Sequence, residues 1–183
     1  MIVGLGGTTK PGSFTERALR GALEAARTLG AETQIFDGPF LARLPIYDPG
    51  TAERTEEQVL LVEAVRKADG LILATPAYHA GISGMIKNAI DLFEDLRTDC
   101  RPYLDRRAVG CIITAMGWQG GGTTLTSLRT VVHALRGWPT PMGLTLNAGE
   151  PVFDDKGRCQ DQRIAEQLGV LAGQVMEFAR RFR

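Results

Sequence analysis

Short apolar runs alternate with longer segments of helical periodicity along the whole chain, and this alternation constrains the fold more than any other feature. The runs at residues 2–5, 33–36, 71–74, 108–115 and 141–146 are predicted strands. The segments at 13–29, 55–68, 84–96, 123–135 and 164–182 carry apolar residues at helical spacing and are predicted helices. Strict alternation predicts parallel strands joined by right-handed crossovers.

The number of elements predicts one domain with a defined architecture. Five strands and five helices in 183 residues fit an α/β, flavodoxin-like three-layer sandwich, with a five-stranded parallel sheet of order 2-1-3-4-5. No repeat, low-complexity stretch or shift in composition divides the chain. We therefore expect residues 1–183 to form a single domain.

Charge and composition argue against several classes of partner. Lys and Arg number 21, as do Asp and Glu, so the formal net charge is zero and no basic surface predicts binding to nucleic acid or to an anionic membrane. No apolar run approaches the roughly 20 residues that span a bilayer, and the first residues lack the basic segment of a secretory signal. The three cysteines show no C-x-x-C spacing, which is typical of a protein in the reducing cytoplasm.

The segment at residues 75–91, TPAYHAGISGMIKNAID, follows the third predicted strand and carries the densest group of candidate site residues. It opens with a turn built on Pro76 and Gly81 and passes into a helical pattern near Gly84. Open α/β sheets bind ligands at this point, where a strand ends and a helix begins. Tyr78 and His79 lie in the loop between them, and we expect a planar ligand here.

This segment resembles the second flavin-binding loop of the NADPH-dependent FMN reductase family, whose pattern is roughly P-x-Y-x-x-x-x-x-G-x-x-K-N-x-x-D. The matching residues are Pro76, Tyr78, Gly84, Lys87, Asn88 and Asp91. The resemblance implies that Tyr78 packs against a flavin ring, while backbone N–H groups at residues 77–80 bond its pyrimidine edge. The alternative for Tyr78 is an ordinary surface aromatic, and His79 either bonds the flavin or caps the loop. Lys87, Asn88 and Asp91 are expected to orient the loop or to meet a neighbouring subunit.

The segment at residues 6–16, GGTTKPGSFTE, joins the first strand to the first helix and is a candidate phosphate site. Free backbone N–H groups and the positive end of the helix dipole favour an anion there. The segment has neither the G-K-[ST] of a P-loop nor G-x-G-x-x-G. It is similar to the family's first motif, G-S-x-R-x-x-S-x-N, with Thr8, Lys10, Ser13 and Thr15 at the four polar positions. Lys10 replaces an arginine and cannot bind phosphate in a bidentate manner, and Ser13 could instead only cap the helix.

A third loop, residues 114–122, follows the fourth predicted strand, which borders the third in the proposed order. We therefore expect it beside Tyr78. Three consecutive glycines permit close approach of the backbone. The family carries a T-G-G or S-G-G loop here, whereas this chain has Ala115-Met116-Gly117-Trp118. Trp118 is a candidate lid, interface residue or packing residue.

Taken together, the three loops supply the predicted cofactor-binding residues, with no catalytic side chain and no metal ligand among them. These residues are Thr8, Thr9, Lys10, Ser13, Phe14, Thr15, Pro76, Ala77, Tyr78, His79, Met116, Gly117, Trp118 and Gly120. The resemblance implies an enzyme that binds FMN and transfers hydride to it from NADPH or NADH.

Reduced FMN could then pass to a partner monooxygenase, or the bound flavin could reduce a quinone, an azo dye or a metal oxyanion in place. Two other hypotheses remain open. One is a flavodoxin-type electron carrier, which the zero net charge disfavours because such carriers are usually strongly acidic, and the other is a regulatory ligand-binding domain without redox activity.

The third predicted helix also suggests self-association. It carries apolar residues on more than one face: Ile86, Ile90 and Phe93 on one, and Met85, Ala89 and Leu92 on another. Such a helix should be covered on more than its sheet-facing side. Because family members pair through this region, the resemblance implies a homodimer or a homotetramer, with the flavin near the subunit boundary.

Overall fold

The computed structural model describes residues 1–182 of the chain. The strands are β1 (Ile2–Gly6), β2 (Thr33–Phe36), β3 (Gly70–Tyr78), β4 (Gly81–Ile82), β5 (Ala108–Ala115) and β6 (Trp138–Asn147). The α-helices are α1 (Phe14–Thr28), α2 (Gly38–Leu41), α3 (Glu56–Lys67), α4 (Gly84–Asp91), α5 (Gly121–Ala134) and α6 (Gln162–Arg181), and a 3₁₀ helix, Leu92–Leu96, continues α4.

The main sheet is parallel and has the order β2-β1-β3-β5-β6. This confirms the predicted order, since β5 and β6 are the fourth and fifth predicted strands. The short β4 was not predicted, and it pairs antiparallel with the end of β3. The third predicted strand is therefore longer than expected, because its carboxyl end continues into a hairpin instead of stopping at Ala74.

Helices cover both faces of the sheet, which explains why its strands are continuous apolar runs. Helices α1 and α6 pack on one face, where Leu19, Leu168 and Val175 are buried. Helices α3, α4 and α5 cover the other, where Leu61 and Phe93 are buried. Among the described residues, no helix is long and apolar enough to cross a membrane.

The strand β6 forms one edge of the sheet and begins at Trp138, three residues before its predicted start. Its sequence, WPTPMGLTLN, contains two prolines, which edge strands tolerate because one side of the strand needs no ladder partner. Side chains from neighbouring helices bond its backbone. Arg129 donates to the carbonyls of Thr140 and Pro141 at 2.6 and 2.9 Å, and Gln174 accepts from the N–H of Met142 at 2.8 Å.

Polar groups with defined partners close the amino-terminal edge of the sheet. The α-amino group of Met1 lies 2.5 Å from the Asp69 carboxylate. The buried Arg107 guanidinium donates to the carbonyls of Ala68, Tyr103 and Arg66 at 3.0, 2.7 and 2.8 Å. Burial, together with a neighbouring arginine, lowers the pKa of Arg107 to about 10. The cation thus caps the last carbonyls of α3, where the helix dipole is negative.

Candidate functional site

The first loop, residues 7–13, ends at the amino terminus of α1. Ser13 is the N-cap, and its Oγ accepts the N–H of Glu16 at 3.3 Å. The N–H groups of Phe14 and Thr15 belong to the first helical turn, so they have no intrahelical acceptor. These two N–H groups and the positive end of the helix dipole therefore face the loop, as an anion site requires.

The path of the first loop is fixed by a close backbone contact. The Thr8 carbonyl oxygen would lie 1.7 Å from a Cβ placed on Gly38, so only glycine fits at the start of α2. Thr8 Oγ1 also accepts the N–H of Lys10 at 3.2 Å. Thr9 and Lys10 are exposed. The loop thus presents two threonines and one lysine from a backbone that packs against the start of α2.

Two of the residues predicted to bind the cofactor have side chains engaged inside the protein. The Thr15 hydroxyl is buried and lies 2.6 Å from the Thr114 hydroxyl at the end of β5. The Phe14 ring packs edge-on against Phe153, with ring centroids 5.0 Å apart. Thr15 and Phe14 therefore have their backbone N–H groups to offer a ligand, while their side chains position the start of α1.

The second loop is a tight hairpin between β3 and β4. His79 and Ala80 occupy its two central positions with φ of 51° and 61°. Positive φ at both positions is the type I′ geometry, which favours Asn-Gly. Each non-glycine residue held there costs about 1 kcal/mol or more, a strain typical of binding sites. Tyr78, beside this turn, is 57% exposed. The aromatic side chain is thus presented to solvent by a strained but defined turn.

The base of the second loop is held by hydroxyl groups. The buried Thr75 Oγ1 accepts the N–H of Ser83 at 3.1 Å. Ser83 in turn caps α4, because its Oγ accepts the N–H of Ile86 at 3.3 Å.

The helix begins at Gly84 as expected, but the predicted turn at Pro76 and Gly81 is wrong. Pro76 lies in β3 and Gly81 in β4, and the turn is formed by His79 and Ala80.

The third loop, residues 115–120, contacts the second. A Cβ on Gly120 would lie 3.4 Å from the Ala80 Cα atom, which confirms the predicted proximity of these loops. Met116 is 83% exposed and Trp118 is 61% exposed. Neither is covered by the described residues, so Trp118 does not serve as internal packing. Together with Tyr78, they place three large apolar side chains at one edge of the sheet.

A cavity of about 170 Å³ lies between the first and second loops. Its lining includes Thr8, Thr9, Pro76, Tyr78 and Met85. The remaining predicted site residues do not line it. Small-molecule pockets usually enclose about 300–1,000 Å³. The described residues therefore enclose only part of a ligand as large as a nucleotide, and the rest of such a ligand would lie against the open edge.

A larger open groove, of about 750 Å³, runs over the outer face of α1. Several of its charged residues pair with one another, as Arg20 does with Glu16 and Arg27 with Glu24. It also lies along a helix and not at the strand ends, where sheets of this class bind ligands. We therefore assign the candidate site to the three loops.

Asn88, one of the motif residues, orients a different loop from the one expected. Its buried side chain accepts the N–H of Tyr47 at 2.8 Å and donates to the carbonyl of Pro45 at 3.0 Å. Between them, Ile46 is held with 82% of its side chain exposed. Local sequence did not indicate this clamp, because the two segments are more than 40 residues apart.

The apolar faces of the third predicted helix are covered by the chain itself. The residues Ile86, Ala89, Ile90, Leu92 and Phe93 are all buried in one core cluster. The periodicity was interpreted correctly as apolar on two faces, but Ala89 and Leu92 of the second face are buried inside the molecule and Met85 is partly buried. This helix therefore gives no support to self-association, whereas the exposed apolar residues lie on the loops.

Two comparisons with known proteins decide the family. The profile of the NADPH-dependent FMN reductase family matches residues 1–150. An FMN-dependent NADPH-azoreductase of Staphylococcus aureus is 33% identical over 184 residues, covering 94% of this chain and 91% of the relative. The chain belongs to the NADPH-dependent FMN reductase family. It is therefore an NAD(P)H-dependent oxidoreductase that uses FMN.

Solved structures share the fold of this FMN reductase family member at lower identity. The flavoenzyme NAD(P)H:(acceptor) oxidoreductase FerB from Paracoccus denitrificans superimposes with a TM-score of 0.81 at 17% identity, over 99% of this chain and 97% of that one. An NADH:FMN oxidoreductase in its apo form superimposes with a TM-score of 0.71 at 20% identity, over 100% of this chain and 89% of that one. These likenesses confirm the flavodoxin-like fold.

The site residues of this family member fit a flavin mononucleotide. The first-turn N–H groups of Phe14 and Thr15 would donate to a phosphate at the N-terminus of α1, and Thr8 lines the cavity between the first and second loops. The apolar surface of Tyr78 and the cavity beside Pro76 provide a place for a planar ring. The two requirements of FMN, an anion site and an aromatic surface, are thus met by adjacent loops.

Proposed function

We propose that the protein binds FMN across its three loops, oxidises NAD(P)H and passes the electrons to an aromatic acceptor such as an azo compound or a quinone. The observation that carries this proposal is the convergence of a helix N-terminus and exposed aromatic residues at one edge of the sheet. The flavin, once bound, supplies the redox chemistry by accepting hydride and returning its electrons to the acceptor.

The first loop is proposed to hold the phosphate. Thr8, Thr9, Lys10 and Ser13 surround the N-terminus of α1, and Phe14 and Thr15 contribute backbone N–H groups. Lys10 is flexible and exposed, so it supplies a point charge and not a fixed fork. The hydroxyls and N–H groups therefore set the position of the phosphate, and Lys10 adds attraction.

The second and third loops are proposed to hold the ring. Pro76, Ala77 and the strained turn at His79 place backbone groups along its polar edge, and Tyr78 offers an aromatic contact. Met116, Gly117, Trp118 and Gly120 border the outer side. These side chains orient the ring and exclude water. Hydride transfer between stacked rings requires no proton donor, so no side chain is assigned as a catalytic acid or base.

An aromatic acceptor is favoured because planar, apolar side chains surround the open part of the site. Tyr78 and Trp118 can stack on a dye or a quinone after the nicotinamide leaves. The azoreductase of Staphylococcus aureus is the relative whose name supports this class of acceptor. Release of reduced FMN to a partner monooxygenase is the second candidate, since much of the site is open and permits exchange of the flavin.

The test follows nicotinamide absorbance with flavin-free protein before and after FMN is added. We expect oxidation that depends on FMN, with NADPH at least as effective as NADH. Folded protein that oxidises neither nicotinamide with FMN would leave a carrier or a regulatory domain as the function. A second arm gives NADPH and an azo dye to protein freed of unbound FMN. Rapid bleaching supports reduction in place, whereas bleaching only with added FMN supports release of reduced flavin.

Assembly as a homodimer or homotetramer is also proposed, supported by apolar side chains that stand out on loops. Ile46, Met116 and Trp118 are each more than 60% exposed, and Asn88 bonds the residues on both sides of Ile46. Light scattering at micromolar concentration tests this, and a monomer would contradict it.

A single domain over residues 1–183 and a cytoplasmic location complete the proposal. The location is supported by three free thiols, Cys100, Cys111 and Cys159.

A further inference from the structure

A carboxylate lies directly beneath the loop that is proposed to bind phosphate. Glu16 is buried, and its Oε2 accepts the N–H of Gly12 at 2.9 Å. Its Oε1 accepts from Arg20 at 2.8 Å through Nε and at 2.7 Å through Nη2. A negative charge next to an anion site is unfavourable unless a cation neutralises it. Its presence here therefore needs a structural reason and a compensating charge.

The structural reason is the path of the loop. In a complete capping box, the carboxylate at N3 would accept the N–H of the N-cap residue, Ser13. Glu16 instead accepts the N–H of the preceding residue, Gly12, whose φ is +64°. Arg17 donates to the Gly12 carbonyl at 2.8 Å, so this peptide segment is held from both sides. As a result, the N–H of Ser13 has no acceptor among residues 1–182, in addition to the first-turn N–H groups of Phe14 and Thr15.

The compensating charge is Arg20. Its side chain is 51% exposed, while Glu16 beside it is nearly covered. Arg20 also lies 3.6 Å from the carboxylate of Asp37, at the cap of α2. The charged groups near the loop include Glu16 and Asp37, which pair with Arg20, and Arg17, which bonds Gly12, while Lys10 lies in the loop itself. Arg20 is the cation that contacts both carboxylates.

We propose that Arg20 is a positioning residue that makes the first loop selective for a flavin bearing a phosphate. Its guanidinium neutralises Glu16, so the carboxylate can hold Gly12 in its left-handed conformation without repelling a phosphate dianion. The inference rests on the proposed binding of FMN at this loop. It assigns to Arg20 an effect on the phosphate only, with no contribution to the flavin ring.

The test compares FMN with riboflavin, which lacks the phosphate. Flavin-free protein is titrated with each ligand, and binding is followed by quenching of flavin fluorescence. Arg20→Gln should weaken FMN by about tenfold or more, because it leaves the Glu16 charge uncompensated, while riboflavin affinity should stay within about twofold. Arg27→Gln is the matched control, since Arg27 lies on the same helix and pairs with Glu24. It should leave both affinities unchanged.

A second substitution separates charge from structure. Glu16→Gln in the Arg20→Gln background should restore most of the FMN affinity, since the amide oxygen can still accept from Gly12 while the charge is gone. Arg20→Lys keeps the charge, so its FMN affinity should lie within about threefold of the parent's. This variant provides the charge test if Arg20→Gln does not fold. An equal loss for FMN and riboflavin, an effect no larger than that of Arg27→Gln, or failure of the double variant to recover would each overturn the proposal.

The same titrations distinguish this inference from the proposed function. If the loop does not bind phosphate at all, the parent protein will bind FMN no better than riboflavin. If the parent prefers FMN and Arg20→Gln keeps that preference, the function stands and only the role of Arg20 is wrong.

Discussion

At the amino-terminal edge of the sheet, charged groups are buried and satisfied, as in Arg107 with its three carbonyl partners. At the carboxyl edge, large apolar side chains such as Tyr78 and Trp118 are exposed, and N–H groups at the start of α1 lack acceptors. The same five parallel strands lead to both edges. We propose that the buried, paired groups of the first edge contribute mainly to stability, whereas the second edge is the candidate ligand site.

Arg107→Met should have the largest effect and should act on stability alone. It removes donors from the carbonyls of Arg66, Ala68 and Tyr103, and an unpaired buried acceptor costs about 1–3 kcal/mol. We expect a loss of about 3 kcal/mol in the free energy of unfolding, measured with urea. FMN affinity of the folded fraction should match the parent. A weaker affinity at conditions where the variant is fully folded would show that the two edges are coupled.

Ser13→Asp should weaken FMN binding and leave stability almost unchanged, which is the converse of Arg107→Met. Aspartate is as good an N-cap as serine, so the free energy of unfolding should change by less than about 0.5 kcal/mol. Its carboxylate would face a bound phosphate, and like charges about 4 Å apart cost about 4 kcal/mol at an effective dielectric constant of about 20, before screening. We expect FMN to bind at least about tenfold more weakly. Ser13→Asn, a neutral cap, is the control, and equal affinity in both variants would remove this loop from the site.

Tyr78→Ala should weaken FMN by roughly threefold to tenfold, since an aromatic contact contributes about 0.5–1.5 kcal/mol beyond area burial. Tyr78→Phe keeps the ring and should be close to neutral, and the pH dependence of turnover should keep its shape in both. Titrations and NAD(P)H oxidation rates decide between this role and that of a proton donor. A severe loss of turnover in Tyr78→Phe would mean that the hydroxyl participates in the chemistry.

Ala80→Gly should give the smallest effect and should raise stability. Glycine adopts a φ of +61° without strain, which relieves about 1–2 kcal/mol, and the greater freedom of glycine in the unfolded chain offsets about 0.4–1 kcal/mol of this gain. The free energy of unfolding should therefore increase by about 1 kcal/mol or less. The control is Ala25→Gly inside α1, where the same exchange should lower it by about 1 kcal/mol. Thermal unfolding of the flavin-free proteins measures both. A destabilised Ala80→Gly would indicate that the turn is held by contacts of its alanine side chain, and that the strain assigned to this edge is absent.

The strands and helices could be predicted because their patterns repeat along the sequence, and the sheet order followed from the flavodoxin-like fold that this alternation fits. Buried parallel strands are continuous apolar runs, and the helices between them carry a periodic stripe. The hairpin at His79 and Ala80 could not be predicted, since the Asn-Gly or Asp-Gly pair that signals such a turn is absent. There the pairing of Tyr78 with Gly81 overrides local preference, and a strand that seemed to end at Ala74 continues into the site.

The position of the site was predictable from strand ends, but the partners of its side chains were not. Thr15 has the right type and place to bind phosphate, yet its hydroxyl bonds Thr114, which is 99 residues away. The sequence S-F-T-E indicated a capping box in which Ser13 caps α1, but it did not indicate the ion pair between Glu16 and Arg20. Only the three-dimensional path of the loop shows that the Glu16 carboxylate accepts from Gly12. The sequence shows which residues are polar, but it does not show which group each polar side chain hydrogen-bonds.

The prolines in β6 have a consequence for how copies of this protein can meet. A bare edge strand invites another chain to add a strand, which leads to extended sheets and aggregates. Here Pro139 and Pro141 lack N–H groups, and Arg129 already occupies the neighbouring carbonyls. At the opposite edge, β2 is only four residues long. Association should therefore be limited to closed assemblies built through side chains, and concentrated solutions should resist growth into fibres.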